Sequence, residues 1–152
     1  MPRLDRRRFF SVLAGLSALP MLPARRSLAA ENDLAPIVAK ITAGQPLREG
    51  RVRVDTPSLA DNGHSVPLRI SVESPMTASE HVVSISILSD RNPRPLIATY
   101  HLGPRAGRAT VATRVRLNGT QRVHAIAKLS DGSFWSGGAD VIVTESACLD
   151  DS

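Results

Sequence analysis

Cys148 is the residue in this chain best suited to covalent chemistry. It is the only cysteine, four positions from the C-terminus, in the segment Ser146-Ala147-Cys148-Leu149-Asp150. A thiol reacts as its thiolate, whose population follows the local electrostatic field. Glu145, Asp150 and Asp151 lie close in sequence and their negative charge disfavours the thiolate. Activation is therefore expected from a basic or metal-containing pocket of another protein. Two uses fit a tail thiol: a covalent carrier of cargo, or a binding module whose cysteine is incidental or forms an intermolecular disulfide.

The remaining candidates are weaker. His64, His81, His101 and His124 are not at metal-ligand spacing from one another, and no cysteine or carboxylate cluster completes a set. His101 and His124 fall in strand-like segments and are expected in a sheet face, whereas His64 follows a turn and is expected in solvent. Asp61-Asn62-Gly63 has the start of a calcium loop without the rest of the twelve-residue pattern, and reads as a turn. There is no Gly-x-Ser-x-Gly and no phosphate-binding glycine loop. The expectation is a chain with no catalytic residues, metal site or cofactor of its own, in which Cys148 is the one site of covalent attachment.

The N-terminus speaks to compartment. Arg6-Arg7-Arg8 precedes an apolar run from Phe9 to Leu22, followed by small residues, which is the layout of an export signal. The run is shorter than the roughly 20 apolar residues of a spanning helix. Arg6-Arg7-x-Phe9-Phe10 resembles a twin-arginine motif, and Ser27-Leu28-Ala29 a cleavage site. Residues 1–29 are thus expected to be a removable twin-arginine-type signal. A Sec signal is the alternative, and both routes lead to the bacterial periplasm. The whole chain has 19 basic and 14 acidic residues; residues 1–29 hold six of the former and one of the latter, which leaves 13 of each. The basic excess belongs to the signal, so it is no argument for nucleic acid, and no membrane contact is expected after cleavage.

Residues 30–145 must then position the 146–152 arm. Leu34, Ile37, Val38 and Ile41 share one face of a short helix within Asn32–Gly44, with Asn32 or Asp33 as cap and Gly44 and Pro46 as stop. Beyond it the period becomes two: Val66–Val72, Val83–Ile87, Ala109–Leu117 and Val123–Leu129, with weaker segments at Val52–Val54, Leu96–His101, Phe134–Trp135 and Val141–Thr144. Turn signals separate them at Asn62-Gly63, Asn92-Pro93, Gly103-Pro104, Asn118-Gly119, Asp131-Gly132 and Gly137-Gly138. This predicts an all-β chain. An immunoglobulin-like antiparallel sandwich of about seven strands is the first choice and a small barrel the second. Trp135 is expected against the core edge. Unpaired sheet edges make a partner subunit plausible.

Over most of the chain after residue 29 the sequence resembles SoxY, the sulfur-carrying subunit of the SoxYZ complex of bacterial thiosulfate oxidation. The likeness runs through Ala60-Asp61-Asn62-Gly63-His64-Ser65-Val66-Pro67, Asn92-Pro93-Arg94-Pro95 and Tyr100-His101-Leu102. It continues through Thr113-Arg114-Val115-Arg116-Leu117, Gln121-Arg122-Val123-His124-Ala125, Asp131-Gly132 and Val141-Ile142-Val143-Thr144. The resemblance implies an immunoglobulin-like sandwich that forms a heterodimer with a SoxZ-like subunit, and a flexible C-terminal arm whose cysteine, here Cys148, holds sulfur covalently. In that family a haem enzyme joins thiosulfate to the cysteine; other periplasmic enzymes then remove sulfate and oxidise the remaining sulfane sulfur. The carrier itself is not an enzyme. SoxY arms read Gly-Gly-Cys-Gly-Gly, whereas Ser146-Ala147-Cys148-Leu149-Asp150 is closer to a SoxY-related subgroup with Ala-Ala-Cys-Ile-Glu.

Overall fold

The computed structural model describes residues 32–147. The 1–29 signal and Cys148, with the rest of the 146–152 arm beyond Ala147, lie outside the described residues. Among the described residues the chain forms one α-helix, one 3-10 turn (Pro104–Ala106) and nine strands: α1 (Ala35–Thr42), β1 (Leu47–Glu49), β2 (Val52–Asp55), β3 (Leu59–Asn62), β4 (Val66–Val72), β5 (Val82–Ser89), β6 (Leu96–His101), β7 (Thr110–Val115), β8 (Gln121–Leu129) and β9 (Phe134–Glu145). No helix among them is long and apolar enough to cross a membrane.

The strands form two packed sheets. One runs β1-β9-β8-β5-β6 with β3 added to β9; the other runs β2-β4-β7. Alternation places Val66, Leu68, Ile70 and Val72 of β4 opposite Val123, Ala125, Ala127 and Leu129 of β8, and all of them are buried in one core. Their removal from water is the main force holding the sheets together. The outer face of the larger sheet has a second apolar patch, Leu88, Ile126 and Phe134, which α1 covers with Leu34, Ile37, Val38 and Ile41. These four are the residues whose spacing predicted a shared helical face. The Asp33 carboxylate accepts the Ala35 N–H at 2.9 Å, and the helix stops where Ala43 turns left-handed.

The structure departs from the sequence expectation in two ways. It has nine strands rather than about seven, and the two additional ones pair parallel: β1 lies beside Phe134–Ser136 and β3 beside Ile142–Glu145 of β9, while the other pairings are antiparallel. Gly137-Gly138 is not a turn either. It sits mid-way along β9, a single strand of 12 residues that joins the two segments expected on either side of it. The reason is steric. The chain crosses from one sheet to the other between β1 and β2, with Gly50 and Arg51 at positive φ. This brings the Val52 carbonyl so close that a Cβ on Gly137 would lie 2.1 Å from its oxygen. Glycine here admits a neighbouring backbone. Trp135 lies half-buried against the core edge, with the Arg51 guanidinium 5.0 Å from its ring centroid.

Candidate functional site

The one residue singled out for covalent chemistry follows Ala147 in the chain, so the described part of the site is the segment that leads up to it in sequence. That segment is at the end of β9, at one pole of the sandwich. It is tied down by three backbone hydrogen bonds that converge on Gly63 and Leu117. Gly63 N–H donates to the Glu145 carbonyl at 2.8 Å, Leu117 N–H donates to the Gly63 carbonyl at 2.8 Å, and Ala147 N–H donates to the Leu117 carbonyl at 3.3 Å. Ala147 is fully buried. A Cβ on Gly63 would stand 2.0 Å from the Leu117 oxygen and 3.0 Å from the Ala147 nitrogen. Contacts below about 3 Å are not tolerated, so this junction requires glycine for space.

The β7–β8 turn that carries Leu117 is itself braced. Thr120 Oγ1 accepts the Val143 N–H at 3.0 Å, extending the β8–β9 ladder by one side chain. The Ser89 hydroxyl donates to Gln121 Oε1, both residues being buried, and Gln121 Nε2 donates to the Gly119 carbonyl at 3.1 Å. Asn92, from the β5–β6 loop, donates from Nδ2 to the Arg116 carbonyl at 2.8 Å and accepts the Asn118 N–H at Oδ1 at 2.9 Å. No buried side-chain nitrogen or oxygen among the described residues lacks a partner, as a durable polar brace requires.

The histidines do not join this junction as a set. His64 is exposed one residue beyond Gly63, its N–H held by the Asn62 side chain at 3.1 Å; Asp61 and Asn62 end β3, and the chain turns at Gly63-His64 rather than across the whole of Asp61-Asn62-Gly63. His101 is exposed on β6, and His124 is half-buried on the outer face of β8. His81 Nδ1 is 3.2 Å from the Thr77 carbonyl oxygen. Among the described residues no three His, Cys, Asp or Glu side chains converge as a metal-holding group. The carboxyl of Asp131, in the β8–β9 turn at the opposite pole, is held below the usual carboxylate range by hydrogen bonds from the Ser133 hydroxyl and N–H.

Sequence reasoning located Asn62-Gly63 and Asn92-Pro93 only as turns. The positions of Asn92, Gln121 and Thr120 beneath the segment before Cys148 are set by tertiary contacts that no local pattern records.

A sequence-family model for the sulfur oxidation protein SoxY matches residues 37–148, from α1 through this junction to Cys148. The chain belongs to the SoxY family. Among solved structures, the sulfur carrier protein SoxY from Chlorobium limicola f thiosulfatophilum has the same fold, with a TM-score of 0.62, 24% identity, and coverage of 73% of this chain and 96% of that one. Two superoxide reductases also share the architecture. The neelaredoxin from Ignicoccus hospitalis has a TM-score of 0.55 at 15% identity over 62% of this chain and 80% of that one. The enzyme from Nanoarchaeum equitans has a TM-score of 0.54 at 12% identity over 63% of this chain and all of that one. At such identities the structures speak for the sandwich alone, and site chemistry has to be argued from this chain's residues. No curated protein matches the chain in sequence.

Proposed function

We propose that this SoxY-family chain is a periplasmic sulfur carrier, exported by the twin-arginine route, and that Cys148 is the residue of attachment. The observation that carries the reading is the coincidence of the only cysteine with a braced strand terminus: the family match extends to Cys148, and the residue before it is buried and hydrogen-bonded to the sandwich. The carrier contributes a nucleophile and a handle, and separate enzymes contribute the catalysis. When thiosulfate is joined to Cys148, a sulfur–sulfur bond forms between the Cys148 thiolate and the outer sulfur, and two electrons pass to the haem-containing loading enzyme. Hydrolysis then releases sulfate with an oxygen from water and leaves a persulfide on Cys148. The exchange steps depend on access and leaving group, as thiol–disulfide chemistry does.

A SoxZ-like subunit is the proposed partner. Support comes from the outer face of β3 and β9, where the register partners Leu59 and Ile142 are 54% and 55% exposed. Neighbouring apolar side chains left in solvent mark a surface for another protein.

The test is loading. The purified chain and its Cys148→Ser variant are incubated with thiosulfate and the haem loading enzyme of a sulfur-oxidising periplasm, and protein-bound sulfur is measured by mass. The reading requires a thiosulfate adduct on the wild type and none on the variant, whose folding must be unchanged. Equal loading of the variant would remove Cys148 from the mechanism.

A further inference from the structure

We propose that Asn92 is a positioning residue for Cys148, fixing the backbone of Ala147, the residue that precedes it. The inference rests on the carrier reading for its purpose and on peptide geometry for its argument. A peptide unit is planar, so holding its C=O also orients the N–H at its other end. Two such units flank Leu117. The first contains the Arg116 carbonyl and the Leu117 N–H; the second contains the Leu117 carbonyl and the Asn118 N–H.

The Asn92 side chain holds one end of each. Its Nδ2 donates to the Arg116 carbonyl at 2.8 Å, and its Oδ1 accepts the Asn118 N–H at 2.9 Å. The free ends of the same two units make the contacts that matter for the cysteine. Leu117 N–H donates to the Gly63 carbonyl at 2.8 Å, and the Leu117 carbonyl accepts the Ala147 N–H at 3.3 Å. One side-chain amide thus fixes both planes on which Gly63 and Ala147 are hung. An amide suits this position because it offers a donor and an acceptor at once.

Asn92 is itself held. Its N–H donates to Ser89 Oγ at 3.0 Å, and Gln121 Nε2 donates to its Oδ1 at 3.4 Å. Ser89 and Gln121 are bonded to each other and buried. The path from Asn92 to the residue before Cys148 is therefore a continuous set of hydrogen bonds, each with both partners named. Nothing in it touches the sulfur, so Asn92 acts through Leu117 and Ala147.

The test compares the full exported chain with Asn92→Ala, Asn92→Asp and, as a stability control, Val82→Ala. Val82 is fully buried at the start of β5, on the far side of the core. Amide hydrogen exchange is read at Ala147 and at the core amides of Val123 and Ala125. Loss of the clamp predicts at least a tenfold fall in protection at Ala147 in Asn92→Ala beyond any fall at the core amides, since local openings have their own free energies. Asn92→Asp keeps the acceptor for Asn118 and should fall between the two. Val82→Ala should lower protection uniformly. A nitroxide on Cys148, the only thiol, supplies the second readout: its line shape must change in Asn92→Ala and not in Val82→Ala. Unchanged Ala147 protection, an unchanged line shape, or equal changes in the control would overturn the proposal. Sulfur loading of the wild type is scored separately. Loading with no effect of Asn92 rejects the positioning role alone, and an effect of Asn92 without loading rejects the carrier reading alone.

Discussion

Replacing Gly63 with alanine tests whether the strand that leads to Cys148 is held by the close approach described above. The added Cβ would lie 2.0 Å from the Leu117 oxygen, so that carbonyl must retreat by about 1.4 Å to reach ordinary contact. The Leu117 carbonyl is the acceptor for Ala147, and the Gly63 carbonyl is the acceptor for Leu117. Loss of these two bonds costs about 0.5–1.5 kcal/mol each. Crowding in a packed region costs about 1–3 kcal/mol more. The φ of Gly63 is not in the left-handed region, so alanine also gains about 0.4–1 kcal/mol by restricting the unfolded chain. The net expectation is a destabilisation of about 1–6 kcal/mol. For a domain of this size about 4 °C of Tm accompanies each kcal/mol, which gives a fall of roughly 4–24 °C. Thermal unfolding by circular dichroism reads it. A Gly63→Ala protein within about 2 °C of wild type would refute the steric argument and the anchoring of the β9 terminus with it.

Further expectations follow from other parts of the molecule. Gly137→Ala meets the Val52 oxygen at 2.1 Å and should lower Tm comparably by thermal melt, while leaving the exchange of the Ala147 amide in step with the core. Phe134→Ala removes the largest contact under α1 and should cost about 3–5 kcal/mol in urea unfolding, since buried aromatic truncations do. Ile142→Lys places a charge on the exposed β3–β9 face; it should weaken assembly with a SoxZ-like subunit in sedimentation while leaving the Tm of the isolated chain near wild type. The Asp131 carboxyl is depressed by bonds from Ser133, so its stabilising effect is present above the unfolded carboxylate value and is lost as pH falls through the lower folded one. Ser133→Ala should raise the Asp131 midpoint in an NMR titration, with a small effect on stability because the group is in solvent.

The sequence made the strongly periodic elements readable. Val66–Val72 forms a strand with those bounds, because strict alternation of buried and outward residues has one solution in a two-layer sandwich, and the weaker segment Leu96–His101, which buries no residue fully, also forms a strand with its expected bounds. The covering helix was readable for the same reason, through Leu34, Ile37, Val38 and Ile41. What escaped depends on distant chain. Gly137-Gly138 looks like a turn when only its neighbours are considered, and becomes a strand interior because Val52 crosses over it. Leu47–Glu49 and Leu59–Asn62 are too short and too exposed to alternate, and exist as strands because β9 offers them a free edge. At the site, type and number alone single out Cys148 as the candidate. The bracing of the segment before it is not legible in the sequence, since Asn92 lies 24 residues before Arg116 and 26 before Asn118, and meets them only through the fold.

The central claim, that Cys148 carries sulfur, is tested most directly by intact-mass spectrometry of the chain isolated without reductant from cells oxidising thiosulfate. The account predicts a mixture of the bare chain and species heavier by sulfur, sulfite or thiosulfate, all returned to the bare mass by reductant and all mapping to Cys148. A population consisting solely of free thiol or of the disulfide-linked dimer under those conditions would contradict it.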